Sequence, residues 1–254
     1  MKYFIIILSL AGSLLLTKEK PTIYLIGDST VAGYSGNTLE DKRGWGAFLA
    51  DHFDTTQVTI INKARGGRSS RSYIGERLWD EVHDQLDSGD YVIIQFGHND
   101  GGAINDDHRA RGSIKGNSDS TLIIDNMLTK KREIIKSYGW YIRKYIADTR
   151  AKGATPIVCS HIARDRWTDG KVDRADRDYA KWAREAAAEE GALFIELNEL
   201  TASAYEKAGV DYTSDTLFSQ DNTHTTPYGA KLNAKIVADA IRELSGSDLK
   251  NYLK

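Results

Sequence analysis

The sequence predicts a three-layer α/β sandwich built on an open, five-stranded parallel sheet. Two observations predict it. Five short apolar runs recur along the chain, each nearly continuous rather than alternating, as strands covered on both faces read. Between them lie stretches whose apolar residues recur every three or four positions, the mark of helices with one buried stripe. Repeated alternation of the two is the pattern of a sheet flanked by helices.

The strands are Thr22 to Ile26, Val58 to Ile61, Tyr91 to Phe96, Thr155 to Ser160 and Leu193 to Leu197. The clearest helix is expected from about Leu128 to Lys152, where Ile134, Tyr138, Tyr141, Ile142, Tyr145 and Thr149 share one face and Gly153 closes it. A second runs from Arg174 to Glu190, with Tyr179, Trp182, Ala183 and Ala186 inward and Gly191 as the stop. The last begins at Pro227, a favoured first position, behind Thr226 as cap, and turns Leu232, Ile236, Val237, Ala240 and Leu244 inward. Gly101 to Asp125 is the one long polar insertion and is expected as a surface loop. Strand order is not written in such a pattern.

A chain of 254 residues suffices for one α/β domain, expected over residues 18–254. Its formal net charge of -2 excludes a general nucleic-acid surface, which needs a basic excess. Lys2, the apolar run Phe4 to Leu16 and the charges Lys18-Glu19-Lys20 have the layout of a secretory signal over residues 1–17. An uncleaved anchor and a buried first element are the other readings of that run. With the signal removed, the expectation is a secreted or periplasmic protein without stable membrane insertion. Cys159 is the single cysteine, sits in an apolar strand pattern, and is expected as a core residue.

The chemistry lies at the strand ends. Ser29 follows the first strand, Gly67 lies just beyond the second, and Asn99 follows the third. In an open parallel sheet these ends share one rim, where ligands bind. Ester hydrolysis needs a nucleophile, a base and donors for an oxyanion. Ser29 supplies the hydroxyl. His224 is the natural base, and Asp221, three residues earlier, can reach its Nδ1 within one turn. The N–H groups of Ser29 and Gly67 and the amide of Asn99 are the candidate oxyanion donors. Read singly, each segment also fits capping or turn chemistry. Their joint order at strand ends favours catalysis.

These segments resemble the SGNH (GDSL-type) hydrolase superfamily, whose blocks supply Ser, Gly, Asn and His. They stand here as Gly27-Asp28-Ser29-Thr30, a segment ending in Gly67, Gly97-His98-Asn99-Asp100, and Asp221 to His224. Thr30 occupies the position where the name-giving pattern has Leu. Within the superfamily the chain is similar to rhamnogalacturonan acetylesterases, sharing the Gly-Asp-Ser-Thr form, the run Gly67 to Ser72, and an Asp-x-Thr-His-Thr stretch before the last helix. The resemblance implies a flavodoxin-like SGNH fold and removal of acetate from acetylated plant cell-wall polysaccharide through an acetyl-Ser29 intermediate, without cofactor. Other acetylated glycans such as xylan, small esters, and a non-catalytic carbohydrate-binding protein are the rival readings. The stretch Ser160-His161-Ile162-Ala163-Arg164 departs from the Pro-containing segment of similar bacterial sequences, so substrate preference stays open.

Rim loops also carry Arg68, Arg71, Arg164, Arg166 and Trp167, candidates for uronate carboxylates and a sugar face, against the simpler reading of a solvated surface. His98 is a candidate to orient Asn99 or touch substrate, with a structural histidine as the other reading. The cluster Asn105-Asp106-Asp107-His108 lacks the spacing of a metal site, and no metal is expected.

Overall fold

The computed structural model describes residues 20–33 and 42–254; the expected signal segment, residues 1–17, lies outside the described residues. In chain order, the first half holds β1 (Thr22–Gly27), β2 (Thr59–Asn62), α1 (Ser70–Gly75), α2 (Leu78–His83), β3 (Tyr91–Gln95), β4 (Thr121–Asp125), β5 (Arg132–Lys136) and α3 (Tyr138–Ala151). The second holds β6 (Thr155–Cys159), β7 (Trp167–Thr168), β8 (Lys171–Val172), α4 (Tyr179–Glu189), β9 (Leu193–Ile195), α5 (Leu197–Ala208), the single turn α6 (Val210–Tyr212) and α7 (Pro227–Glu243).

All five expected strands form one parallel sheet, in the order β2-β1-β3-β6-β9. The winding reverses between β1 and β3, so a crevice opens there beyond the carboxyl ends of the strands. Ser29 leaves one side of that crevice and Asn99 the other. Successive strand residues face opposite sides, and the core divides with them. Tyr24, Ile26, Val92, Ile94 and Val158 pack against Tyr138, Ile142 and Tyr145 of α3 and Ala183 of α4. Ile23, Leu25, Ile93, Ile157 and Cys159 pack against Trp45, Leu49 and, from α7, Val237 and Ile241. Three layers result, and each enclosed aliphatic side chain contributes about 1.5–3 kcal/mol. Cys159 is fully enclosed, and burial pushes its thiol far up.

Residues 121–136 depart from expectation. They form an antiparallel hairpin, β4 against β5, with Leu122 opposite Ile135 and Ile123 opposite Ile134, instead of the end of a loop and the start of a helix. Asn126 closes the turn: its Oδ1 accepts from the N–H groups of Leu128 and Thr129 (2.9 and 3.0 Å). The β-branched runs pair across the hairpin, and Ile134, in phase with the helical stripe, belongs to a strand. The helix starts only at Tyr138, because Ser137 caps it, accepting from the Trp140 N–H at 3.1 Å. A second departure is Leu197, which opens α5 rather than ending β9; the sequence reading assigns α5 to no element.

Two tyrosines of α3 reach through the core to hold the rim. Tyr138 donates to the Phe96 carbonyl (3.0 Å) and Tyr145 to the Ser70 carbonyl (2.7 Å), at the ends of β3 and the start of α1.

Candidate active site

Ser29 sits in the turn that ends β1, and Asp28 builds that turn. The Asp28 carboxylate, fully buried, accepts from the Thr30 N–H (2.8 Å) and the Thr30 hydroxyl (2.7 Å), while its carbonyl accepts from the N–H groups of Val31 and Ala32. Burial pushes the Asp28 carboxyl up to about 6 against the opposing bonds from Thr30. Gly27 is required just before it, since a Cβ there would lie 2.6 Å from the Gln95 carbonyl oxygen.

Asp221 and His224 occupy the turn before α7. Asp221 Oδ1 accepts from the N–H groups of Thr223 (3.1 Å) and His224 (2.9 Å), which fixes the carboxylate within its own turn. Its Oδ2 lies 2.6 Å from His224 Nδ1 and 2.5 Å from Lys42 Nζ. Partial burial acts to raise this carboxyl, but Lys42 and the backbone and ring of His224 outweigh it and hold it well below the usual carboxylate range. His224 Nε2 in turn lies 2.9 Å from Ser29 Oγ. Hydroxyl, imidazole and carboxylate thus stand in one line.

The segment 42–46 stitches the two turns together. Arg43 donates from its N–H to the Thr225 carbonyl and its own carbonyl accepts from the Thr225 hydroxyl; Gly44, Trp45 and Gly46 donate to the carbonyls of Ala32, Thr30 and Val31. Beneath it, Trp45 Nε1 donates to Gln95 Oε1 and Gln95 Nε2 to Thr30 Oγ1, at 2.8 and 2.7 Å.

Gly67 and Asn99 face Ser29 from the other strand ends. Gly67 has φ +78°, a left-handed conformation that favours glycine, and its carbonyl accepts from Arg111 Nη1 at 2.9 Å. Asn99 Nδ2 donates to the Arg68 carbonyl at 2.8 Å, which fixes the amide and leaves its second hydrogen free. Among the described residues, no acceptor takes the backbone N–H of Ser29 or of Gly67. Asp100 ties this corner to α1: it accepts from the Ser70 hydroxyl and N–H and from the Ser113 hydroxyl. Burial pushes Asp100 up to about 6 despite those bonds.

A cavity of about 380 Å³ opens over these groups, lined by Ser29, Gly67, His98, Asn99, Asp221 and His224, with Arg109, Arg111, Arg164 and Thr223 completing its wall. The residues that a serine esterase needs therefore share one hollow at the switch point of the sheet. Comparison with known proteins agrees: residues 25–232 match the sequence model of the GDSL-like lipase/acylhydrolase family.

The chain belongs to this family.

Membership places it among the ester hydrolases. The chain is 34% identical over 228 residues to the rhamnogalacturonan acetylesterase of Emericella nidulans, covering 90% of this chain and 86% of that one. It is 32% identical over 226 residues to a Bacillus subtilis protein named "Probable rhamnogalacturonan acetylesterase YesY", covering 87% of this chain and 93% of the other. The crystal structure of Bacillus subtilis YxiM superposes with a TM-score of 0.71 at 24% identity, over 88% of this chain; the chain spans 56% of that protein's length.

The family frame sorts the remaining predicted residues. His98 and Arg164 line the Ser29 cavity. The ring nitrogens of His98 are enclosed and without partners, and burial, then the neighbouring His161 and Arg164, holds this imidazole well below its usual range. Arg164 spans from Thr223 Oγ1 to the His98 carbonyl. Arg68 lines the adjoining cavity instead, its guanidinium forked onto Glu76 (2.9 and 2.8 Å). Arg71 is not a rim residue: it is 3% exposed, paired with Glu133 and bonded to the carbonyls of Ile104 and Gly112. Trp167 and Arg166 do not line the cavity either; the Trp167 indole donates to Asp165 and packs on a core around Tyr205 and Phe218. Asp106 spends its carboxylate on the N–H groups of His108, Arg109 and Ala110. Among the described residues, no three His, Cys, Asp or Glu gather as for a metal, and no helix is long and apolar enough to cross a membrane. Sequence reasoning missed Lys42, Arg109 and Arg111. The pair Arg109-x-Arg111 inside a polar insertion was the available signal; for Lys42 there was none.

Proposed function

We propose that this protein is a serine acetylesterase that removes acetyl groups from an acetylated pectic polysaccharide, with rhamnogalacturonan as its polymer. One observation carries the reading: Ser29 Oγ stands 2.9 Å from an imidazole backed by a carboxylate, beside unspent donors on Ser29, Gly67 and Asn99. The named relatives support acetate as the acyl group and the pectic chain as its carrier.

The reaction runs as acyl transfer in two halves. Ser29 Oγ attacks the acetyl carbonyl carbon while its proton passes to His224 Nε2. The tetrahedral oxyanion lies against the N–H groups of Ser29 and Gly67 and the free amide hydrogen of Asn99. Its collapse breaks the bond to the sugar oxygen, which takes the proton from His224 and leaves as an alcohol. Water, deprotonated by His224, then attacks acetyl-Ser29; acetate departs and Ser29 recovers its proton. Asp221 holds the ring in the tautomer that presents Nε2 as acceptor and stabilises the imidazolium. Export, expected from the pattern of residues 2–20, would bring the enzyme to such polymers.

Acetate release from acetylated rhamnogalacturonan, measured beside acetylated xylan and with Ser29→Ala as control, tests this. Release confined to xylan removes the pectic assignment. Wild-type turnover by Ser29→Ala removes the nucleophile.

A further inference from the structure

The cavity over Ser29 does not end at Gly67. A second hollow of about 380 Å³ continues from it, sharing Gly67, Arg109 and Arg111 as common walls. A third, of about 280 Å³, continues from the second through Ser72, Glu76, Arg109 and Leu128 and ends at Lys131 and Arg132 on the hairpin. Arg109 lines all three. The result is one groove leading from the reacting hydroxyl to the β4–β5 hairpin.

Its charges do not balance. Glu76 is already held by Arg68, Glu133 by Arg71 and Asn126, and Asp221 by Lys42 and His224. Among the described residues, no carboxylate lies within ion-pair distance of Arg109, Arg111, Arg164, Lys131 or Arg132. Asp28, Asp100 and Asp106 attract Arg111 without pairing with it: the first two lie fully buried beneath the floor, and Asp106 holds its carboxylate on the N–H groups of its own loop. Arg111 commits Nη1 to the Gly67 carbonyl, and its other donors have no partner among the described residues; the Arg109 side chain has none at all. The loop is built to present this pair, since Ala110 between them is buried while the Asp106 carboxylate gathers the N–H groups of residues 108–110. Arg109 and Arg111 repel one another, and with no carboxylate in ion-pair contact with either, an anion between them would relieve that repulsion.

We propose that Arg109 and Arg111 form a carboxylate subsite, and that the groove takes an acidic glycan, one uronate of which sits there while an acetylated sugar of the same chain lies over Ser29. A planar guanidinium matches a carboxylate with two parallel bonds, which an acetylated neutral glycan cannot offer. The proposal rests on the acetylesterase reading for the position of the acetyl group, and the carboxylate site itself does not.

Calorimetry of trigalacturonate binding to the Ser29→Ala protein, with maltotriose as neutral control, tests it without turnover. Trigalacturonate is expected to bind at least tenfold tighter than maltotriose, and at least fivefold weaker at 500 mM than at 50 mM sodium chloride. Arg109→Gln should weaken it at least tenfold with an unchanged unfolding midpoint, because that side chain is exposed and unpartnered; Arg132→Gln should weaken it less. Equal binding of the two sugars, or wild-type binding by Arg109→Gln, overturns the subsite. Hydrolysis of 4-nitrophenyl acetate, compared between wild type and Ser29→Ala, tests the esterase reading separately, so the two failures are told apart.

Discussion

Replacing Asp28 by Asn should make the variant gain on the wild type as pH rises. The Asp28 carboxyl is fully buried, with two donors from Thr30 on Oδ1 and no partner on Oδ2. Burial, against those two bonds, moves it from 3.8 to about 6. Below both values the group is neutral whether folded or not, and its full contribution to stability is present. As pH rises, the unfolded chain ionises first, near 3.8, and that contribution is lost until the folded carboxyl ionises at about 6. One pKa unit corresponds to about 1.4 kcal/mol, so the loss between pH 4 and pH 8 comes to about 2–3 kcal/mol. Asn cannot ionise and is spared it. Its Nδ2 takes the unpartnered place of Oδ2 at a pH-independent cost of about 1–3 kcal/mol. Asp100 titrates in the same range but is present in both proteins and cancels to first order. Urea unfolding of both proteins from pH 4 to pH 8 measures the gap between them. A gap constant to within about 0.5 kcal/mol would refute the reasoning.

Asn99→Ala should lower kcat by about 10²–10³ with little change in KM, since in the proposed reaction the amide meets charge that forms only in the transition state; steady-state kinetics on a soluble acetyl ester read this. Lys42→Met should lower kcat several-fold while shifting stability by less than about 1 kcal/mol, as the pair with Asp221 is partly exposed, and Lys42→Arg should restore turnover. Equal kcat in all three proteins would make Lys42 a bystander. Arg71→Leu should destabilise the fold by about 3–5 kcal/mol in chemical denaturation, because it strands Glu133 and two loop carbonyls.

The sheet was legible because its strands are covered on both faces, and runs such as Val92 to Ile94 admit no other reading. Ser29 and Asn99 were legible because each follows closely on such a run, where the fold leaves little freedom of placement, whereas Asp221 and His224 follow no strand and were legible from their three-residue spacing ahead of Pro227. Long-range pairs were not. Lys42 meets Asp221 across 179 positions, and no local pattern marks a lysine for that partner. Arg71 reads as a loop residue in Gly67 to Ser72, yet Ser69 caps a helix there and turns it inward toward Glu133. Ile134 misled for a related reason: one isoleucine can satisfy a helical stripe and a cross-strand pair, and only the Asn126 turn, followed by the Ser137 cap, decides between them.

Residues 43–46 hold the serine turn with one end and the histidine turn with the other. Ser29 and His224, 195 positions apart along the chain, are thereby hung from a single tether a few residues long. Breathing of the surrounding rim would carry the alcohol and the ring together rather than pull them out of step. Heat inactivation should accordingly track cooperative melting of the sheet instead of an earlier, local loss of alignment.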